Sequence, residues 1–155
     1  MIVVADTSPL NYLIQINCDS LLPKIYQQVF IPPAVLQELK HPRAPKSVKL
    51  WLGRLPSWIE VHSLRMPPDN TLLFLDPGER EAIQLATEQH ADLLLIDERR
   101  GRVEAAHRGL ATTGTLGVLL AADKLGLIDR KLMYGKLITE TSFRTTSELE
   151  RKFLQ

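Results

Sequence analysis

An α/β fold on a mainly parallel sheet follows from three features of the sequence. The apolar runs Ile2-Val3-Val4-Ala5, Val29-Phe30-Ile31 and Leu93-Leu94-Leu95-Ile96 show no polar alternation, as strands buried on both faces require. Segments with helical apolar spacing separate these runs, and strands alternating with helices specify crossover units and parallel pairing. Two of the runs end in acids, Asp6 and Asp97. Open α/β sheets gather reactive groups just beyond the carboxyl ends of their strands. If those two strands are neighbours, Asp6 and Asp97 meet.

In chain order, Ser8-Pro9 opens the first helix, with Ser8 as its cap and Pro9 in the first turn, where a missing N–H costs nothing. Leu10, Leu13 and Ile14 supply its apolar stripe. Asp19 is placed to cap a short helix through Leu21, Leu22 and Ile25. Pro32-Pro33 starts a helix through Ala34, Val35, Glu38 and Leu39 that stops near His41-Pro42. Pro42 to Pro45 reads as a loop, Lys46 to Gly53 as a helix burying Val48, Leu50 or Trp51, and Leu52, and Trp58 to His62 as an outer strand. Pro67-Pro68-Asp69-Asn70 is a turn-rich link, too short to separate domains.

Asp76-Pro77-Gly78-Glu79 has the form of a capping box, and a helix follows to His90. Arg99 to Arg108 reads as a helix stopped by Gly109, and Leu110-Ala111-Thr112 as a short last strand. Leu116 to Leu125 is an apolar helix ended by Gly126, its face Leu116, Leu119 and Leu120 packing in the core, and Thr146 or Ser147 caps a C-terminal helix. No repeat or low-complexity tract interrupts the series. Residues 1–155 are expected to form a single domain.

With 45% hydrophobic residues, a chain of 155 can bury a sizeable core. A formal charge of +1 excludes the global basic field of strong non-specific nucleic-acid binders, so any nucleic acid is held locally. The single cysteine, Cys18, excludes an intramolecular disulfide and a cysteine zinc site, which leads us to expect a cytoplasmic protein. A first strand starting at Ile2 leads us to expect no leader, and no apolar run reaches membrane-spanning length. His41, His62, His90 and His107 lack regular metal spacing, and Trp51 and Trp58 read as core or interface residues rather than stacking platforms.

The acids carry the chemistry. Asp6 and Asp97 either cap the helices that follow them or form part of a site. Glu38 shares a helical face with Ala34 and Val35, so it points along the core side, where a carboxylate needs a basic partner or a metal; Lys40 and His41 lie close in sequence but on other faces. Glu79 shares its face with Ala82, Ile83 and Ala86, whereas Glu81 lies with Gln84, Leu85 and Glu88 on a face that reads as solvent, so Glu79 is the site candidate of the two, with a capping box as its other explanation. An oxygen-rich set suits a hard cation, Mg²⁺ or Mn²⁺, and thereby metal-assisted phosphodiester hydrolysis.

Beyond Asp97, Arg99, Arg100, Arg102 and Arg108 either grip phosphates or pair with Glu98 and Glu104, with Arg102 the one expected to turn towards the cleft. Thr7 is placed to orient a bound water or to cap, and Thr113-Gly114-Thr115 to meet a phosphate at a helix start.

These residues resemble the PIN-domain family of metal-dependent nucleases, which includes the toxins of VapBC-type toxin–antitoxin pairs. The resemblance spans nearly the whole chain: Asp6 after the first strand, Glu38 in PPAVLQELK, Glu79 in LDPGEREAIQLA and Asp97 in LLLIDERRGR, followed by TGTLGVLL. It is closest to the subgroup with a GE.EAI.LA helix followed by DE..GR. It implies a three-layer sandwich whose central parallel sheet has about five strands. It further implies catalytic and metal-binding roles for Asp6, Glu38, Glu79 and Asp97, with Thr7, Arg102, Thr113 and Thr115 as substrate contacts. RNA as substrate, a small antitoxin partner and a homodimer are also implied. The chain departs from the pattern at Glu79, where many active members carry Asp.

The reading is therefore an Mg²⁺- or Mn²⁺-dependent endoribonuclease with a toxin-like role. The alternatives are a PIN-like module that binds RNA or protein without turnover, and an α/β hydrolase of small phosphate esters.

Overall fold

The computed structural model describes residues 1–155. Its sheet is entirely parallel, with five strands in the order β3-β2-β1-β4-β5: β1 (Val3–Ala5), β2 (Val29–Ile31), β3 (Ile59–Val61), β4 (Leu93–Leu95) and β5 (Thr112–Thr113). The central strand β1 pairs with β2 on one side and with β4 on the other, in the register Ala5 to Leu95. Parallel strands need crossovers, and the helices supply them. These are α1 (Thr7–Gln15), α2 (Leu21–Tyr26), α3 (Pro33–Leu39), α4 (Lys46–Gly53), α5 (Pro77–Glu88), α6 (Arg99–His107), α7 (Thr115–Lys124), α8 (Arg130–Glu140) and α9 (Ser147–Leu154), with a 3₁₀ turn at Asn70–Leu72. The three-layer sandwich expected from the sequence is the architecture observed.

The period of the strands divides the core in two. Val3, Ala5, Val29, Ile31 and Leu95 face the larger core with Leu10 and Leu13 of α1, Val35 and Leu39 of α3, and Val118 and Leu119 of α7. Val4, Leu94 and Ile96 face the smaller one, against Ala82, Ile83, Leu85 and Ala86 of α5 and Ala105 of α6. Burial of each such leucine or isoleucine stabilises by about 1.5–3 kcal/mol. Gly109 and Gly126 follow α6 and α7 at φ +75°, the left-handed conformation in which glycine ends a helix without strain.

Several local expectations are corrected. Helix α1 begins at Thr7, so Asp6 rather than Ser8 occupies the cap position, and neither side chain caps it. Asp19 does not cap α2; its carboxylate accepts the indole N–H of Trp51 at 3.1 Å. Leu50 is exposed, whereas Trp51 is half-buried. Strand β5 lies later than Leu110, at Thr112–Thr113, because Thr113 O, Ala111 O and their neighbours pair with β4. Helix α8 is an addition to the expected series, which holds no helix between Gly126 and Thr146. Glu81 does not face solvent: its carboxylate accepts the N–H of Ala34 at 3.0 Å, binding the start of α3 to α5.

Candidate active site

Asp6 directly follows β1, and Asp97 lies just past β4. Because these strands are adjacent, both acids reach the C-terminal edge of the sheet together; the Asp6 N–H bonds to Leu95 O at 2.8 Å. Helices α3 and α5 pack against each other above this edge and bring Glu38 and Glu79 to it. Asp6 is 3% exposed and Glu79 1%. None of these carboxylates forms an ion pair.

Each outer acid is fixed by neutral donors. Glu38 accepts the hydroxyl of Thr7 and, at 2.8 Å, the N–H of Gly78. Neither Lys40 nor His41 pairs with it, as their places on other faces of the helix lead one to expect. Asp97 accepts the N–H of Thr115 at 2.7 Å and its hydroxyl at 2.8 Å. The two inner acids differ: Asp6 Oδ1 and both carboxylate oxygens of Glu79 are buried without a hydrogen-bond partner. A buried polar group left in this way is costly unless it is neutralised by a proton or a cation.

Burial pushes the Asp6 carboxyl up to about 8, and the nearby carboxylates of Asp76, Glu38 and Asp97 add to the effect. Burial likewise pushes Glu79 to about 8, with Asp76 and then Asp6 contributing. Asp97 is also raised by burial, although the bonds from Thr115 and the nearby Arg102 guanidinium oppose the shift.

Asp76 is the acid that sequence reasoning did not assign to the site. It caps α5, accepting the Glu79 N–H at 2.9 Å, while Glu79 makes no reciprocal bond and the capping box is only half formed. The signal was present: a cap residue and the third helical residue share one end of a helix, so an inward Glu79 brings Asp76 with it.

Three glycines leave room for the carboxylates. A Cβ on Gly78 would stand 2.3 Å from Glu38 Oε1, one on Gly101 2.9 Å from Glu79 Oε2 and one on Gly114 2.6 Å from Asp97 Oδ1. The cluster is thus built into the backbone of α5, α6 and the turn before α7.

Among the expected substrate contacts, Thr7 is committed to Glu38 and Thr115 to Asp97, so both position acids. Thr113 is half-buried, its hydroxyl close against Gly117. Arg102 lines a cleft of about 420 Å³ that includes Asp97, and Arg108 pairs instead with Glu104 at 3.3 Å. A smaller cleft of about 210 Å³ lies beside Glu38.

A parallel three-layer α/β domain with carboxylates at the C-terminal edge of its central strands carries its acids where open α/β sheets bind their ligands. The family model DUF3368, a PIN domain, matches residues 2–155, and the chain belongs to the PIN-domain family. Members of this family are generally nucleases that use divalent metals. The fold is similar to that of a PilT N-terminus domain protein from the hyperthermophilic archaeon Sulfolobus solfataricus P2, with a TM-score of 0.54 at 15% identity over 94% of this chain and 100% of that one. No curated protein matches the chain.

Proposed function

We propose that the chain is an Mg²⁺- or Mn²⁺-dependent endoribonuclease of PIN type. The observation that carries this reading is the set of unpartnered, unpaired carboxylate oxygens of Asp6 and Glu79 in the buried edge of the sheet. Their all-oxygen chemistry fits a hard cation, and Asp6 and Glu79 are the residues that would hold it, with Glu38 and Asp97 beside them. When bound, such a cation would polarise a phosphodiester and lower the pKa of a bound water.

The chain's own residues prepare the site. Thr115 orients Asp97, while Thr7 and Gly78 orient Glu38, so both carboxylates enter the reaction at fixed angles. Burial holds the Asp6 and Glu79 carboxyls up to about 8, so a cation taken up there would displace protons from them. Arg102, beside Asp97, supplies positive charge for a substrate phosphate.

The test is incubation of the purified chain with an RNA pool in Mn²⁺, in Mg²⁺ and in excess chelator. Cleavage confined to the metal-containing samples is expected; cleavage that persists in chelator overturns the mechanism. The toxin role, a small antitoxin partner, a homodimer and a cytoplasmic location belong to the proposal through the VapC-type resemblance, and co-purification with the product of a neighbouring gene tests the first two.

One observation favours a second reading, a PIN-like module that binds RNA without turnover. No three of the acidic side chains are gathered around a common point, so a cation here relies on one or two carboxylates, with water and substrate oxygens completing its shell. RNA binding in chelator with no product in either metal supports that module.

A further inference from the structure

We infer that the cleft beside Asp97 is a nucleotide subsite, in which one nucleotide of a single-stranded RNA lies with its phosphate on Arg99, Arg102 and Arg144 and its base against Tyr12 and Phe143. The inference rests on the RNA reading above and specifies the strand form the site accepts and the side on which the flanking nucleotide lies.

The cleft measures about 420 Å³, which suits a nucleotide-sized ligand. Its three arginines come from distant parts of the chain, Arg99 and Arg102 from α6 and Arg144 from the segment joining α8 to α9. None of the three guanidinium groups makes an ion pair or a hydrogen bond within the protein, whereas Arg108 and Arg130 are tied to Glu104 and Asp123. The carboxylates lining the same cleft are Asp97, whose oxygens both accept from Thr115, and the exposed Glu98. Three guanidinium groups without an ion pair therefore share the cleft with two carboxylates, the exposed Glu98 and the half-buried Asp97 already bonded by Thr115. Their planar donor forks match phosphate oxygens. This is the local hold that a chain of net charge +1 needs in place of a basic surface.

Two further groups make the ligand a nucleotide rather than a bare anion. Thr145 lines the cleft, and its hydroxyl is buried without a hydrogen-bond partner, as a donor reserved for a phosphate or sugar oxygen would be. Tyr12 and Phe143 form an edge-to-face pair with ring centroids 5.2 Å apart, and both line the cleft half-buried. Aromatic side chains hold bases by stacking, which requires bases free of a duplex.

The experiment is fluorescence anisotropy of the full chain with a short labelled single-stranded RNA in excess chelator, over a series of salt concentrations. The variants are Arg99→Ala combined with Arg144→Ala, both exposed and unpaired in the protein, and Phe143→Leu, which keeps an apolar side chain in place. The arginine variant is expected to bind about tenfold more weakly and to lose about 0.7 from the salt slope per arginine. Phe143→Leu is expected to weaken binding about fivefold with the slope unchanged, and a duplex of the same sequence to compete poorly.

Wild-type affinity and slope in the arginine variant, equal competition by duplex, or no binding by the wild type at low salt each overturn the subsite. RNA held through these arginines yet uncut in Mn²⁺ leaves the subsite standing and removes the nuclease reading. Mn²⁺-dependent cleavage with unaltered KM in the arginine variant does the reverse.

Discussion

Thr115 holds both oxygens of Asp97, its N–H on Oδ1 at 2.7 Å and its hydroxyl on Oδ2 at 2.8 Å. Since Thr115 is itself fully buried, the angle of this carboxylate is set by α7 rather than by solvent. Thr115→Val keeps the shape and the N–H but leaves Oδ2 unpaired, and is expected to cost about 1–2 kcal/mol in denaturant unfolding, with a fall in cleavage. Thr115→Ser is expected to restore both. Equal activity in the valine variant would remove Thr115 from the positioning of Asp97.

Gly101 separates α6 from Glu79. In Gly101→Ala the new methyl would meet Ile96 Cδ1 at 2.5 Å and Glu79 Oε2 at 2.9 Å, forcing a shift in both. A loss of about 1–3 kcal/mol is expected, together with weaker Mn²⁺ binding measured by calorimetry. Gly135→Ala, inside α8 with nothing within 4 Å, is the contrasting case and should stabilise by about 0.5–1 kcal/mol.

Glu81 ties α3 to α5 through the Ala34 N–H. Glu81→Ala leaves that donor unpaired at the helix start, and a loss of about 1–2 kcal/mol is expected, with faster hydrogen exchange along α3. Unchanged exchange in α3 would show that the contact does not hold the helix bearing Glu38.

The pH dependence has a definite sign. The folded chain keeps protons on Asp6 and Glu79 up to about pH 8, whereas the unfolded chain loses them near about pH 4. Between those limits the folded state binds more protons, so the stability of the chelator-treated protein falls as pH rises. Its melting temperature is expected to drop by about 5 °C or more between about pH 5 and about pH 8, and Asp6→Asn to flatten the profile. A wild-type melting temperature that rises across this window would contradict the burial argument.

Much of the site was legible because its placement follows from periodicity. Unbroken apolar runs before Asp6 and Asp97 required buried parallel strands, and the small or apolar neighbours of Glu38 and Glu79 on their helices required inward carboxylates. What stayed hidden depends on contacts between distant segments. The clearance at Gly78, Gly101 and Gly114 depends on carboxylates from other segments, and Asp19, in the turn before α2, meets Trp51 of α4. Helix α8 escaped notice because Gly135 and interspersed lysines dilute a stripe whose buried residues are only Tyr134 and Leu137. Arg144 sits in a segment with no periodicity, yet it joins Arg99 and Arg102 across the cleft.

The most direct test of the nuclease reading is cleavage of RNA by wild type and Asp6→Asn in parallel, each with Mn²⁺ and with excess chelator, after circular dichroism shows both folded. The amide keeps the shape of Asp6 and removes the charge available to a cation. The account predicts Mn²⁺-dependent cleavage by wild type and a loss of at least about a hundredfold in the variant. Equal cleavage by both proteins would contradict it.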